Sequence, residues 1–145
     1  MLHFKDRNWV ERALRRIITF GTFDVLHVGH IKILQRAKDM GDHLTVGLSS
    51  DALNIAKKGR APVYPFTSRQ TILKALRFVD TVFMEESLEK KREYIVQHKA
   101  DALVMGNDWE GKFDEFEDIC DVIYLPRTPS ISTTEIIEII KETDL

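Results

Sequence analysis

Five short apolar runs, separated by longer stretches of mixed polarity, set the pattern of this chain. The runs are rich in Ile, Val, Leu and Phe and have the length of buried strands. The stretches between them are long enough for crossover helices, and strands joined in that way lie parallel in a doubly wound sheet. We therefore predict a Rossmann-like α/β fold with a five-stranded parallel sheet in the order 3-2-1-4-5. The predicted strands are residues 16–20, 44–48, 81–84, 102–105 and 122–125.

Apolar residues at helical spacing follow the first of these strands. Ile31, Leu34, Ala37 and Met40 recur every three or four positions, which is typical of a helix with one buried face. Gly41 comes next and is expected to end the helix as its C-cap. The first strand and this helix therefore enclose a strand-to-helix turn.

Capping and breaking signals mark the other connections. Thr67 and Ser132 each stand three residues before Gln or Glu, the spacing of a capping box, and each predicts the start of a helix. Residues 54–65 contain glycine and proline breakers and are predicted to form a loop. Residues 88–98 predict a helix whose charged positions 89–93 face solvent.

Composition narrows the class of protein. A chain of 145 residues predicts a single domain, and 21 basic against 23 acidic residues give no reason to expect nucleic acid or a membrane as partner. Cys120 is the single cysteine, which excludes an internal disulfide and is typical of a cytoplasmic protein. We expect residues 1–15 to form an N-terminal arm or short helix, and residues 16–145 to form the folded domain.

The strand-to-helix turn, residues 21–30, has the composition of an anion site. Gly21 and Gly29 allow the backbone to come close to a bulky group, and the N-terminus of the helix presents unpaired N–H groups and a positive dipole end. His27 and His30 are three residues apart and share a face of the first helical turn. Such an arrangement suits a phosphate chain that gains charge during phosphoryl transfer.

Two other interpretations of this histidine pair stay open. Histidines near a helix start are often solvated or capping residues, and a pair of them can be half of a metal site. With Cys120 the only cysteine and no third histidine nearby, zinc has little support, and no metal ligand is predicted.

Three more segments are predicted at the carboxyl ends of strands, the edge where doubly wound sheets bind ligands. Lys57 follows the second strand, Asp108 and Trp109 follow the fourth, and Arg127 follows the fifth, just before the predicted cap at Ser132. Lys57 can bind phosphate or be an ordinary surface lysine, and Trp109 can stack on a base or fill the core. If all four segments meet at one edge, the chain has a site for a nucleotide.

These segments carry a resemblance. Thr22-Phe23-Asp24 followed by His27-Val28-Gly29-His30 resembles the start of the nucleotidyltransferase superfamily with a His-x-Gly-His motif. Residues 106–114 and 127–134 resemble its cytidylyltransferase branch, and within that branch the glycerol-3-phosphate cytidylyltransferases. The resemblance extends from about residue 16 to about residue 141. Three motifs in the same order are more specific than any one of them.

The resemblance implies an enzyme that joins CTP to a phosphorylated alcohol and releases pyrophosphate, in cell-wall or capsule biosynthesis. The favoured acceptor is sn-glycerol 3-phosphate, which gives CDP-glycerol, with Mg²⁺ bound to CTP and the enzyme a homodimer. The alternatives are another acceptor such as phosphoethanolamine, an adenylyltransferase of the same superfamily, and a non-catalytic nucleotide-binding subunit.

It also implies roles for individual residues. Those expected to act on the reacting phosphates are His27, His30, Lys57 and Arg127. Those expected to bind the nucleotide are Gly21, Thr22, Phe23, Asp24, Gly29, Asp108, Trp109, Thr128, Ser132 and Thr133. The candidates for a substrate contact or a subunit interface are Lys58, Arg60, Arg69 and Arg77.

Overall fold

A five-stranded parallel sheet forms the centre of the protein, in the predicted order β3-β2-β1-β4-β5. The computed structural model describes residues 14–127, 129 and 132–143. The strands are β1 (Arg16–Gly21), β2 (His43–Ser49), β3 (Thr81–Glu85), β4 (Ala102–Gly106) and β5 (Asp121–Leu125). Each predicted strand is confirmed and is one to two residues longer than its apolar run, because flanking glycine or polar residues continue the hydrogen-bonded ladder.

Helices cover the sheet. They are α1 (Val28–Asp39), α2 (Asp51–Lys58), α3 (Phe66–Lys74), α4 (Lys91–Gln97) and α5 (Thr133–Glu142). Short 3₁₀ turns occupy Leu88–Lys90, Asn107–Trp109 and Asp114–Asp118. None of the helices in the described ranges is long and apolar enough to cross a membrane.

The central strand β1 is buried on both faces. Ile17 packs in one apolar cluster with Leu34 and Ala37 of α1, and Ile18 packs in a second cluster on the opposite face with Leu103 and Ile95. Strands of a parallel sheet that is covered on both sides have apolar residues at consecutive positions, which explains why the five apolar runs are so clear in the sequence.

Gly41 has a different role from the one predicted. Helix α1 does end at Asp39 with Met40 as its C-cap, but Gly41 is not among the glycines with positive φ in the described chain. A Cβ at this position would lie 2.7 Å from the backbone oxygen of Arg15 and 2.7 Å from Cγ1 of Ile17. The position therefore requires glycine because the neighbouring chain passes too close for a side chain.

The predicted loop over residues 54–65 is wrong for its first part. The Ser50 side chain accepts from the backbone N–H of Leu53 and starts α2, which ends at Gly59 with φ 75°. Ser50 and Gly59 are start and stop signals of a short helix, whereas the prediction took the glycine as a loop breaker. Lys57 therefore lies on a helix.

Two other local predictions also fail. Thr67 is not the N-cap of α3, because Pro65 occupies that position and the carboxylate of Asp51 accepts from the backbone N–H of Phe66 at 3.0 Å. The charged positions 89–93 are not all solvated, since Lys91 is buried. The cap at Ser132 is confirmed, with its hydroxyl accepting from the backbone N–H of Glu135 at 3.1 Å.

The predicted N-terminal arm over residues 1–15 lies outside the described residues except for Leu14 and Arg15. The guanidinium of Arg15 pairs with Asp121 at 2.8 Å, and its backbone N–H donates to the carboxylate of Asp42. Arg15 is thus attached to the sheet directly ahead of β1.

Candidate functional site

The two histidines of the turn cap the first turn of α1 together. The ring Nδ1 of His27 accepts from the backbone N–H of Gly29 at 3.0 Å, and Nδ1 of His30 accepts from the backbone N–H of His27 at 3.2 Å. This is a capping box in which both side chains are imidazoles. The capping interpretation of these histidines is therefore correct, and it leaves the far edge of each ring available for another partner.

These caps assign the tautomer of both rings. A ring nitrogen that accepts a hydrogen bond carries no proton, so in the neutral imidazole the proton is on Nε2. Burial lowers the pKa of His30 to about 4, with the neighbouring His27 acting in the same direction and the Asp24 carboxylate opposing it. Burial also lowers the pKa of His27. Near pH 7 the site thus presents two neutral Nε2–H donors.

The turn itself is strained. Phe23 has φ 48° and Val25 has φ 46°, a left-handed conformation that is costly for side chains of these types. The edge of the Phe23 ring contacts His30 with centroids 5.5 Å apart, and the two imidazoles lie 3.9 Å apart. The strained backbone holds an aromatic ring behind the histidine pair.

Asp24 connects this turn with the segment that follows α2. Its carboxylate accepts from the backbone N–H groups of Val63 at 2.6 Å and Tyr64 at 2.9 Å, and from that of Val25 at 3.1 Å. Its backbone oxygen accepts from the hydroxyl of Thr133 in the first turn of α5, at 3.1 Å. Segments that follow β1, β2 and β5 are therefore bonded to each other at the carboxyl edge of the sheet.

Lys57 contacts this edge from α2. Its ammonium donates to the hydroxyl of Ser49 at 3.2 Å, and the Ser49 hydroxyl donates to the buried carboxylate of Glu85 at 3.4 Å. The residue as a whole is exposed, but its charged end lies against the buried Ser49. Desolvation there lowers the pKa of Lys57, with Glu85 acting in the opposite direction.

Glu85 has a second and stronger partner that the sequence did not indicate. The ammonium of Lys91 donates to Glu85 at 2.8 Å, with side-chain exposures of 7% and 2%, and it lies 3.8 Å from the centroid of the Phe20 ring. Burial lowers the pKa of Lys91, while the adjacent Glu85 carboxylate favours its charged form. Glu85 could have been found as a charged residue at the carboxyl end of β3. No pattern marked Lys91, which lies within a run of charges.

Arg69 lies at the centre of the hydrogen bonding below the turn. Its guanidinium donates to the backbone oxygens of Thr22 at 3.0 Å, Ser49 at 2.9 Å and Tyr64 at 2.9 Å, and to the carboxylate of Asp51 at 2.7 Å. The residue is 1% exposed. Arg69 thus joins the ends of β1 and β2 to the start of α3, and its contacts are with the protein itself.

The Asp108–Trp109 segment extends from the carboxyl end of β4, next to β1 in the sheet. Both side chains are exposed, and Trp109 is 47% exposed, so the interpretation of Trp109 as a core residue is wrong. Its ring lies 5.7 Å from Phe113 and 5.2 Å from the ammonium of Lys112. An exposed indole at this edge is available for stacking.

Other predicted residues are not joined to the histidine turn by the described contacts. Arg127 lines a shallow cavity of about 390 Å³ whose lining includes Lys32, Arg36 and Pro129 but neither histidine. Lys58, Arg60 and Arg77 are exposed on the surface, and Thr128 lies outside the described residues. Gly21 requires its small size, since a Cβ there would lie 2.7 Å from the Phe23 ring. No group of three or more His, Cys, Asp or Glu in the described ranges could hold a metal ion.

Comparison with known proteins identifies the family of this chain. The model of the family described as cytidylyltransferase-like matches residues 18–139. The chain is 50% identical over 125 residues to the glycerol-3-phosphate cytidylyltransferase of Bacillus subtilis (strain 168), covering 86% of this chain and 96% of that protein. The enzyme of the same name from Staphylococcus aureus (strain NCTC 8325 / PS 47) is 46% identical over 85% of this chain and 92% of its own length.

More distant matches have other names. An FAD synthase of Pyrococcus abyssi (strain GE5 / Orsay) is 41% identical over 64% of this chain and 63% of its own length. A solved structure, the lipopolysaccharide core biosynthesis protein of Thermoplasma volcanium GSS1, superposes with a TM-score of 0.69 at 23% identity, over 80% of this chain and 99% of that one. At that identity the likeness concerns the fold. The family model and the relatives covered over nearly their whole length show that this chain belongs to the cytidylyltransferase-like family.

Proposed function

We propose that the protein transfers the cytidylyl group of CTP to the phosphate of sn-glycerol 3-phosphate. An oxygen of the acceptor phosphate attacks the α-phosphorus of CTP, the bond from that phosphorus to the bridging oxygen breaks, and pyrophosphate leaves as CDP-glycerol forms. The acceptor phosphate is already ionised at neutral pH, so the reaction needs no general base. The protein then contributes positioning and stabilisation of charge.

The reciprocal cap of His27 and His30 is the observation that carries this proposal. It fixes two Nε2–H donors at a helix N-terminus, and burial lowers the pKa of both rings so that they are neutral near pH 7. In the described part of the chain no protein group accepts from either Nε2. Fixed donors at a positive dipole end suit the oxygens of an α-phosphoryl group, which gain negative charge in the transition state.

Neighbouring groups extend this anion site. Lys57 brings a positive charge from α2, and the hydroxyl of Thr133 contacts the turn from the N-terminus of α5, where Ser132 is the cap. The N-terminus of α5 thus contacts the turn that leads into α1, which suits a ligand that carries several phosphates. We assign Lys57 to the triphosphate and the start of α5 to the leaving pyrophosphate. Arg127 stays a candidate for the same ligand.

Base recognition is assigned to the Asp108–Trp109 segment. The exposed indole provides a surface on which a base can stack, and the carboxylate of Asp108 is an acceptor for an exocyclic amine. Cytosine has such an amine where uracil has a carbonyl. This segment therefore favours CTP over UTP.

Mg²⁺ does not fit a site built from the protein alone. The Asp24 carboxylate already accepts from three backbone N–H groups, and the Asp51 carboxylate accepts from Phe66 and Arg69. We propose that Mg²⁺ arrives bound to the phosphates of CTP, as is usual for nucleotide-bound magnesium.

A screen of pyrophosphate release tests the proposed reaction. CTP, UTP and ATP are each combined with sn-glycerol 3-phosphate, sn-glycerol 1-phosphate, phosphoethanolamine and phosphocholine, with the double variant His27→Asn/His30→Asn as background. We expect the highest kcat/KM for CTP with sn-glycerol 3-phosphate. Equal rates with ATP, a higher rate with phosphoethanolamine, or no release above background would each contradict the proposal and favour one of the alternatives.

Dimer formation is proposed as well. Helix α5 carries Ile139 and Ile140 with 53% and 56% of their surface exposed, and apolar side chains so placed favour burial against a second chain. Sedimentation equilibrium of the full chain measures its mass directly. A mass of one chain at the concentrations of the activity assay would contradict this part of the proposal.

A further inference from the structure

The exposed position of Trp109 raises the question of what holds the base-recognition segment in place. The 3₁₀ turn Asn107–Trp109 is followed by Gly111, whose φ of 83° reverses the chain. Within the segment the backbone N–H of Lys112 donates to the oxygen of Trp109 at 2.9 Å. The Trp109 ring leans on Phe113. The placement of the indole therefore depends on the placement of Phe113.

The ring of Phe113 packs on the apolar cluster around Ile18 and Phe20, and its backbone is hydrogen-bonded to the sheet through one hydroxyl group. Its backbone N–H donates to the phenolic oxygen of Tyr124 at 2.9 Å, and that hydroxyl donates to the carboxylate of Asp114 at 2.8 Å. The single oxygen of Tyr124 thus both accepts and donates, and it binds two consecutive residues of the segment. Burial raises the pKa of this phenol, so the hydroxyl keeps its proton near neutral pH.

Tyr124 is itself held by the sheet. It lies on β5 opposite Met105 of β4, one residue before the strand ends, and its half-buried ring packs against the apolar cluster around Ile18 and Phe20. A ring held in that way gives its hydroxyl a defined position, whereas Trp109 and Asp108 are exposed. The Tyr124 hydroxyl is thus held on β5, and Trp109 and Asp108 lie on the segment to which it is hydrogen-bonded.

We propose that Tyr124 is a positioning residue for base selection, through the hydrogen bonds that join its hydroxyl to Phe113 and Asp114. This inference rests on the proposed function for its link to CTP. The hydroxyl keeps Trp109 and Asp108 at the distance and angle at which they discriminate the base. The hydrogen bonds of the hydroxyl in the described chain go to Phe113 and Asp114 and not to the histidine turn, so we expect the chemical step not to depend on it.

The variant Tyr124→Phe removes one oxygen and keeps the ring. We expect KM for CTP to rise about 3- to 10-fold, because the two lost hydrogen bonds affect the base only through the segment that they hold, with kcat and the KM for sn-glycerol 3-phosphate within a factor of two. The preference for CTP over UTP falls by a similar factor. Asp114→Ala should have a smaller effect, because it removes only one of the two hydrogen bonds of the hydroxyl and leaves the bond from Phe113 in place. The double variant should be no worse than Tyr124→Phe alone, which already lacks both bonds.

Tyr94→Phe is the matched control. The Tyr94 hydroxyl accepts from the backbone N–H of Glu86 at 3.1 Å, and its half-buried ring packs in the same cluster. It binds a segment after β3 that carries no base-recognition residue. Loss of its oxygen should therefore leave KM for CTP and the preference for CTP over UTP unchanged. An equal change in both variants would overturn the proposal.

A second readout separates this inference from the proposed function. Trp9 and Trp109 are the two tryptophans of the chain, so in a Trp9→Phe background the fluorescence reports on Trp109 alone. We expect Tyr124→Phe to raise the acrylamide quenching constant of Trp109 and Tyr94→Phe to leave it unchanged. If quenching rises but the wild-type protein transfers no cytidylyl group, only the proposed function fails. If the wild type is active and Tyr124→Phe changes neither quenching nor KM for CTP, the positioning role is wrong.

Discussion

Nδ1 of His30 lies 3.2 Å from the backbone nitrogen of His27 and accepts its hydrogen, so a proton on this ring nitrogen and the cap of α1 exclude each other. Below the folded pKa of His30 the ring is protonated and gives up the cap. The geometry of the cap therefore links the acid stability of the protein to one imidazole.

Acid destabilisation is the first prediction. The folded pKa of His30, about 4, lies below the ordinary value of 6.5, so the unfolded chain takes up this proton first as the pH falls. The contribution of His30 to the free energy of unfolding is complete above pH 6.5 and is lost between pH 6.5 and 4, by about 3 kcal/mol at most. His30→Asn keeps an acceptor for the cap but does not titrate. Urea unfolding at pH 7.5, 5.5 and 4.5 should give it a flatter pH dependence than the wild type, and parallel curves would show that His30 is not responsible.

The second prediction concerns kcat. It distinguishes the capping role of each imidazole, at Nδ1, from its role as a hydrogen-bond donor, at Nε2. Asn at position 27 or 30 can replace the accepting Nδ1 but cannot supply the distant Nε2–H. We expect His27→Asn and His30→Asn to keep most of the stability at pH 7.5 and to lose roughly 10²- to 10³-fold in kcat, the effect of removing one transition-state donor. Steady-state kinetics with CTP and sn-glycerol 3-phosphate measures this loss. Near-native kcat in His27→Asn would remove that residue from the mechanism.

The buried pair of Lys91 and Glu85 gives the third prediction. Removing one member of a buried ion pair leaves the other charge without a partner, and we expect Lys91→Met to lower the free energy of unfolding by about 3–5 kcal/mol. The double variant Lys91→Met/Glu85→Gln should recover most of that loss because no buried charge is left. Urea unfolding of both variants measures the difference.

Arg92→Met is the control for the buried pair. It removes the neighbouring exposed ion pair with Asp118 and should change stability little. If Lys91→Met is as stable as this control, the pairing with Glu85 contributes nothing to the free energy of unfolding.

Arg69 is the subject of the fourth prediction. Lysine retains the charge but not the planar fork that donates to Thr22, Ser49 and Asp51 at once, so we expect Arg69→Lys to cost about 2–4 kcal/mol of stability. We also expect kcat to fall, because the ends of β1 and β2 are no longer joined. Arg77→Lys, at an exposed position of the same region, should stay within about 0.5 kcal/mol of the wild type in the same unfolding experiment. Equal stability of the two lysine variants would contradict the role given to Arg69.

The sequence predicts the sheet well because the pattern that marks each strand lies within the strand itself. Each strand is an apolar run, and the turn between β1 and α1 is visible in the glycines and histidines that surround it. The order of the strands is taken from the fold class, the doubly wound α/β sheet. The same local signals predicted the cap at Ser132, where the capping residue and its partner are close in sequence.

The contacts that depend on distant partners could not be predicted. The sequence makes Arg69 a candidate for a substrate contact or a subunit interface, because nothing near it in sequence indicates that three segments converge on its guanidinium. The pairing of Lys91 with Glu85 could not be predicted for the same reason, because no sequence pattern indicates that these two side chains are buried together. The error at α2 has a different cause. Ser50 and Gly59 are the start and stop residues of a short helix, so this helix could have been recognised from the sequence.

The carboxylate of Asp24 accepts from three backbone groups, that of Val25 within the histidine turn and those of Val63 and Tyr64 after α2. The turn, with its two left-handed residues, and the segment after α2 are therefore joined through one carboxylate. We expect the spacing between these two segments to be set before a ligand binds.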